Sequence, residues 1–276
     1  MAILATDARR YLLTSIVTSM KSSFSTSPEV AAALSAGTPI VALESTIISH
    51  GLPRPSNLQV AREVEEIVRA HGATPATIAI LDGQVCIGLT DKQLVEIANR
   101  DDIAKASSRD LAIIAATGKS AATTVAATAH LALLAGIHIF ATGGLGGVHR
   151  GANESFDESA DLTALSNLDI TVVCAGVKSI LDVAATLERL ETLAIGVLGY
   201  KTSNFPGFYL TDSGYTIEHQ VNSASEIASI IKARKSLQTD RHALIVANPI
   251  MKEMERNRHD AILKSGLAGA AQLGIT

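Results

Sequence analysis

From Thr38 onward, short runs of β-branched and other apolar residues alternate with longer stretches in which apolar positions recur every three or four residues. Continuous short runs read as buried strands and the periodic stretches as helices packed on them, which predicts α/β layering. Residues 39–43 form the first such strand by composition. Ser56 followed by Gln59 offers a capping box, and Leu58, Ala61, Val64, Ile67 and Val68 share one apolar face of a helix that ends at Gly72. Residues 76–81 and 84–88 flank Asp82-Gly83, a favoured two-residue hairpin turn, so at least one antiparallel pair enters a mixed sheet.

Further on, the Ala-rich stretch 121–135 predicts a helix, with strands at 138–141, 170–175, 194–198 and 243–247 and helices at 180–190 and 225–235. Nothing repeats at a fixed period, and no Pro/Gly/Ser linker divides the body. Residues 28–276 therefore read as a single α/β/α domain around a central mixed sheet. Helices this rich in Ala bury little apolar area each, so subunit contacts are expected to supply part of the burial.

Composition narrows the function. With 47% hydrophobic and 18% charged residues among 276, the chain has too much apolar surface to stay disordered. Five Phe, four Tyr and no Trp leave little for stacking bases, and a net charge of −4 gives no general attraction to a phosphate backbone, which argues against a nucleic-acid partner. The most apolar stretch, 126–140, is interrupted by His130, Gly136 and His138, so no membrane span is predicted. Cys86 and Cys174 can make at most one bridge and no zinc cage.

Residues 1–27 read differently. Arg9, Arg10 and Lys21 face the lone acid Asp7 among many Ser and Thr, while Leu12, Leu13, Ile16, Val17 and Met20 recur at helical spacing. This is the makeup of a mitochondrial transit peptide. The other reading is a disordered or loosely docked extension of a cytoplasmic protein.

Four places can carry chemistry. Glu44 follows the first strand directly, where α/β sheets place their ligand crevices, and an apolar setting there would keep its carboxyl protonated as a general acid; a helix-capping or ion-paired Glu is the alternative. Residues 142–151 hold four glycines ahead of His149 and Arg150 and a fifth, Gly151, after them, a run that can offer backbone N–H groups to a phosphate, although it matches neither a dinucleotide fingerprint nor a P-loop. Asp157 and Asp161 fall four apart, on one face if the segment is helical, and their hard oxygens suit Mg²⁺ or Mn²⁺ rather than zinc. Lys178 lies four residues beyond Cys174, read here at a helix start; at an ordinary pKa roughly one lysine amine in 2,500 is neutral at pH 7, and burial raises that fraction so that the amine can attack carbon. Cys174 itself reads as a core residue rather than a nucleophile, since Val172 and Val173 precede it.

In this order, residues 39–51, 75–82, 122–127, 142–152, 156–162 and 172–182 resemble the pseudouridine-5′-phosphate glycosidase family, also called indigoidine synthase A-like, within a match from about Ser27 to about Pro249. The resemblance implies that family's fold and the reversible cleavage of the C–C glycosidic bond of pseudouridine 5′-phosphate to uracil and ribose 5-phosphate. It implies Lys178 as the nucleophile that captures C1′ in a ring-opened imine adduct, and Glu44 as the acid that protonates the departing base. It further implies Asp157 as the ligand of a divalent cation, typically Mn²⁺, and Ser159, Ala160 and Asp161 as the adjoining substrate-binding turn. Lys105 and Val125 match substrate contacts, His149 matches a phosphate contact, and a homotrimer is implied. Breaking a C–C bond needs an electron sink at C1′ and a proton for the base carbon, hence an amine and an acid.

Three departures stand out. Ser108 replaces a basic residue in the segment 105–110, Ser120-Ala121 replaces an Asn-Gly expected at the rim of the site, and the family's C-terminal tail, with a substrate-contacting Asn, has no match before Thr276. Two other readings are therefore kept: a truncated noncatalytic relative that retains the scaffold, and a different imine-forming phosphosugar enzyme such as an aldolase.

Overall fold

In the computed structural model, which describes residues 24–274, strands and helices alternate as the pattern predicts. The chain divides into two compact units, residues 1–137 and 138–276. The stretch read as a transit peptide falls almost entirely outside the described residues.

In the first unit, β1 (Ser25–Thr26) leads into α1 (Pro28–Ala36), whose N-cap Ser27 side chain accepts the Val30 N–H. Then come β2 (Ile40–Leu43), α2 (Ser56–Ala70), β3 (Thr74–Leu81), β4 (Gln84–Ile87) and α3 (Asp91–Asn99). The unit ends with β5 (Ala104–Ala106), α4 (Leu111–Ala116), β6 (Ala121–Thr123) and α5 (Val125–Leu134). Strand β3 organises the unit. Its first four residues pair in parallel with β2, and its second half pairs antiparallel with both β4 and β6, while β5 runs parallel to β6 and β1 parallel to β4. Every residue of β3 after Thr74 is buried, so both of its faces are covered, which is why its sequence is largely apolar. The expected hairpin forms: Leu81 pairs with Gln84, and Asp82 and Gly83 take φ of 47° and 80°, the left-handed pair of a type I′ turn.

Three local expectations fail here, each for a visible reason. No capping box opens α2, because the Ser56 hydroxyl donates back to the Pro53 carbonyl at 2.7 Å and the Gln59 amide donates to Glu63. The buried stripe of α2 is Asn57, Ala61 and Glu65, whereas Val64 and Ile67 face outward. The polar pair is satisfied inside: Asn57 Nδ2 donates to the carbonyls of Ile48 and Ala98, and Glu65 accepts from Thr77 Oγ1 at 2.6 Å and from Arg69 at 3.1 Å. Finally, the helix expected over 121–135 begins only at Val125, since Ala121 and Ala122 are claimed by sheet pairing and Thr124 caps the helix.

The second unit contains β7 (Ile139–Ala141), α6 (Ala152–Ser155), α7 (Ala160–Leu165), β8 (Thr171–Cys174), α8 (Val183–Thr192) and β9 (Gly196–Tyr200). It continues with β10 (Gln220–Val221), α9 (Ala224–Ser236), β11 (Leu244–Ala247) and α10 (Arg256–Gln272). Its strands run in the order β7-β8-β11-β9-β10, all parallel. Ala141 pairs with Val173 and Ala247 with Cys174, so the carboxyl ends of β7, β8 and β11 lie level. In parallel sheets this is where functional loops gather. The fold class is the expected one, mixed α/β with mostly parallel strands flanked by helices. No described helix is long and apolar enough to cross a membrane.

Candidate active site

In the first unit the candidates collect around Thr123, at the carboxyl end of β6. Glu44, half-buried, directly follows β2. Its neighbour Ser45 is buried and donates to the Ile78 carbonyl at 2.6 Å while accepting the Thr123 N–H at 2.9 Å. Thr123 Oγ1 also donates to Ile78 O, at 2.7 Å, so the hydroxyl of Thr128, 2.8 Å away, must supply the proton of the bond between the two threonines. Thr46 closes the circle by donating to Thr123 O at 2.8 Å. Glu44 thus stands on a backbone held by a buried hydroxyl network, none of whose members the sequence reading singled out.

Lys105 lies on β5, exposed, in register with Ala122. Val125 is the first residue of α5 and is buried at 1% exposure, and the Thr124 N–H before it donates to Ala106 O. Glu44, Lys105 and Val125 are therefore brought to one end of the first unit by strands that meet at Thr123. Ser108 sits in a turn where the Ser107 N–H donates to Asp110 Oδ2 at 2.9 Å. Ser120 is not at this end. It is buried at the opposite end of β6, where its hydroxyl accepts the Asp82 N–H at 2.8 Å and donates to Asp82 Oδ1 at 3.0 Å, locking the hairpin turn.

In the second unit, residues 142–151 tie the candidates together. The run is knitted to its surroundings by its backbone: the Leu145 N–H donates to Gly176 O, the His149 N–H to Asp157 O, and the Lys178 N–H back to Leu145 O at 3.1 Å. Gly146 donates to Asp161 Oδ2 at 2.8 Å and Val148 to Thr186 Oγ1 at 2.9 Å. The N–H groups of Leu145, Gly146, Val148 and His149 are thus spent inside the unit. The glycines also serve close packing. A Cβ on Gly146 would lie 2.1 Å from Ser159 Oγ, and one on Gly144 would lie 2.5 Å from the Phe208 ring. Arg150 is likewise occupied, donating to Ile180 O at 3.1 Å.

His149 and Asp157 face each other, with Nδ1 3.5 Å from Oδ2 and both side chains about half exposed. Asp157 and Asp161 do not share a helix face: Asp157 is exposed ahead of α7, whereas Asp161 is buried inside its first turn, with Ser159 as the N-cap and Ala160 exposed. Lys178 is half-buried in the turn after β8, and α8 starts only at Val183, so the lysine is not at a helix start. Cys174 is a core residue whose thiol burial pushes up to about 12.

No three His, Cys, Asp or Glu side chains gather into a metal cage among the described residues. The donor that is present, an exposed carboxylate, suits a hydrated divalent cation that keeps most of its water, and the expected Asp157 fits that role.

The parallel strands, with Lys178 in the turn after β8, place this chain in the mixed α/β class. It belongs to the family described as indigoidine synthase A like protein, whose sequence model matches residues 29–276. The chain is 56% identical over 250 residues to a protein of Salinispora tropica named pseudouridine-5′-phosphate glycosidase, covering 90% of this chain and 77% of that one. It is 49% identical to a protein of the same name from Symbiobacterium thermophilum, covering 93% and 85%. Among solved structures, an indigoidine synthase A-like protein of Thermotoga maritima superposes with a TM-score of 0.79 at 35% identity, over 87% of this chain and 79% of that one. The prealnumycin C-glycosynthase AlnA, solved with ribulose 5-phosphate, superposes with a TM-score of 0.83 at 34% identity, over 92% and 82%.

Proposed function

We propose that the chain is a pseudouridine-5′-phosphate glycosidase that reversibly cleaves the C–C bond between uracil and ribose 5-phosphate. The observation that carries this reading is its 56% identity, over nine-tenths of its length, to a protein of that name. The local geometry supports the assignment of roles. Lys178 is held at the carboxyl end of β8 by its backbone bond to Leu145, and its amine is the group that attacks C1′ to give an imine adduct. Glu44, on the hydroxyl-braced segment after β2, hands its proton to the departing base carbon. Lys105, Val125 and the 159–161 turn contact substrate, and His149 meets the phosphate. Asp157 would hold a divalent cation, Mn²⁺ in this reading, which supplies positive charge and ordered water when bound.

The test is uracil release from pseudouridine 5′-phosphate with Mn²⁺, for wild type beside Lys178→Ala and Glu44→Gln, each expected to lose roughly 10³-fold or more. Borohydride with ribose 5-phosphate should fix a sugar adduct on Lys178. An adduct without any need for uracil in the reverse direction would favour an aldolase-type enzyme, and no adduct with no uracil release would leave a noncatalytic scaffold. Asp157→Ala should raise the Mn²⁺ needed for half-maximal rate about tenfold.

For assembly we propose a homotrimer. The outward Val64 and Ile67 on α2, the latter 60% exposed, supply apolar surface for it, and light scattering gives the mass. Residues 1–27 are proposed as a mitochondrial transit peptide, tested by the destination of a fluorescent fusion.

A further inference from the structure

The connection from β9 to β10, residues 201–219, holds none of the candidate site residues, yet it folds into a compact strap in the second unit. Its two limbs are tied through the backbone: the Phe205 N–H donates to Tyr215 O at 2.7 Å, the Ser213 N–H to Phe205 O at 2.9 Å, and the Ile217 N–H to Ser203 O at 2.7 Å. Phe205 is fully buried, and Asn204 Nδ2 donates to Asp212 Oδ2 at 3.2 Å. Buried anchors and paired backbone groups of this kind make a connection firm enough to hold something else.

What the strap grips is the turn that carries Lys178. The Phe208 N–H donates to Ala175 O at 3.0 Å, Ser179 Oγ donates to Gly207 O at 3.2 Å, and Gly176 and Gly207 form an antiparallel bridge. The approach is so close that a Cβ on Gly176 would lie 2.1 Å from Pro206 O, and the φ of 88° there suits glycine besides. The same turn is bonded to the glycine-rich run, through the Ala175 N–H to Gly143 O at 3.2 Å and the Lys178 N–H to Leu145 O at 3.1 Å. Phe208 reaches both partners. Its backbone bonds the turn, and its ring lies against the run, where a Cβ on Gly144 would come within 2.5 Å of it.

That ring is costly to place. Phe208 has a φ of 68°, in the left-handed region that a bulky residue avoids and a glycine adopts freely. A glycine at 208 could make the same backbone bond without the strain, so the strain points to the side chain as the reason for a phenylalanine here. Phe208 also lines one cavity together with Lys178. We propose that Phe208 is a positioning residue for Lys178. Its ring, seated on Gly144, keeps the glycine-rich run in register with the 175–179 turn, and that register fixes where the lysine amine stands when C1′ arrives. The proposal rests on the glycosidase reading. A shift of about 1 Å at a reacting group can cost roughly 10²-fold in rate, so a packing contact is enough to govern it.

The test is the rate at which borohydride traps ribose 5-phosphate on Lys178 of the full chain, measured beside kcat and KM for uracil release and the urea midpoint. Phe208→Gly removes the ring and suits the backbone. Its trapping rate and kcat should fall about 10–100-fold while KM stays within about threefold, because the nucleophile is displaced and the substrate contacts are not. Phe208→Tyr keeps the ring and should stay within about threefold of wild type in all three. Gly144→Ala pushes the ring off its seat and should lower kcat about tenfold, yet add no more than about twofold to the loss in Phe208→Gly, where the room is already free. Trapping at the wild-type rate in Phe208→Gly, with the urea midpoint alone lowered, would make the ring a packing group and overturn the proposal. Losses that multiply in the double variant would overturn it too. A wild type that traps no sugar would overturn the assignment of Lys178 itself and the proposal with it, whereas trapping in wild type matched by Phe208→Gly sinks the proposal and leaves the glycosidase reading standing.

Discussion

The Asp161 carboxylate accepts the backbone N–H of Gly146 at 2.8 Å, joining the first turn of α7 to the glycine-rich run 15 residues earlier. The same run holds Lys178 through Leu145 and His149 against Asp157, so one buried carboxylate sets the position of three candidate site residues. Asp161→Ala would leave that N–H buried without a partner. A loss of about 1–3 kcal/mol in urea unfolding is expected, together with a fall in kcat for uracil release, while Asp161→Asn keeps an acceptor and loses less. Gly146→Ala tests the same joint from the other side, because its Cβ has no room beside Ser159 and Asp161. Wild-type stability in both Asp161→Ala and Gly146→Ala would sink this account.

The hydroxyl network under Glu44 makes a second prediction. Thr123 is fully buried, and Thr123→Val keeps its shape while stranding the Thr128 hydroxyl and removing a donor from Ile78 O. A destabilisation of about 1–3 kcal/mol is expected, and Thr123→Ser should restore most of it. The double variant Thr123→Val/Thr128→Val should cost less than the sum of the singles, since the second change removes the stranded partner. Additive costs in urea unfolding would show that the two hydroxyls do not act as a unit.

Much of this was legible in the sequence, and the misses have physical causes. Hydrophobic runs located β2, β8 and β11 to within a residue or two, because a strand covered on both faces is written as an uninterrupted apolar word. The same logic misread α2, whose inward face carries Asn57 and Glu65: periodicity counts apolar residues and cannot see that a distant carbonyl or Thr77 will satisfy a buried polar group. Ala121 and Ala122 went to the wrong element because alanine is small enough to suit either, and strand pairing decided. Lys178, Glu44 and Asp157 stand out in the sequence as candidates, but the groups that brace them in the fold, Ser45, Thr123 and Leu145, act through partners far along the chain, which no local pattern announces.

Arg100 sets the acid response of the hairpin. Its guanidinium donates to Asp82 at 3.0 Å and to Asp102 at 2.8 Å. The hydrogen bond from Arg100, helped by the Ser120 hydroxyl, holds the Asp82 carboxyl below its ordinary value of 3.8, and Arg100 does the same to Asp102. A carboxyl depressed in the folded state contributes stability that is complete above its unfolded pKa and is lost as pH falls through the folded one. Arg100→Gln should therefore be less stable than wild type near pH 6, with the gap narrowing below about pH 3.8. A gap independent of pH in urea unfolding between pH 3 and 7 would refute the linkage.

Cys174 follows the opposite electrostatic rule. Burial, opposed only weakly by a backbone hydrogen bond at Gly176, pushes its thiol up to about 12, since the thiolate has no solvent or cation to stabilise it. Burial raises the Cys86 thiol as well. At pH 8 about one Cys174 thiol in 10⁴ would be ionised, against roughly one in four for a free cysteine, and the residue is 2% exposed besides. Native protein should accordingly resist iodoacetamide at pH 8, while protein in urea should take up two carbamidomethyl groups, one for each cysteine of the chain. Cys174→Ala should leave uracil release within a few-fold of wild type and cost stability through the small void left beside Ala247. Rapid native alkylation at Cys174, with activity lost in step, would instead make the sulfur a reacting group and displace Lys178 from the role assigned to it.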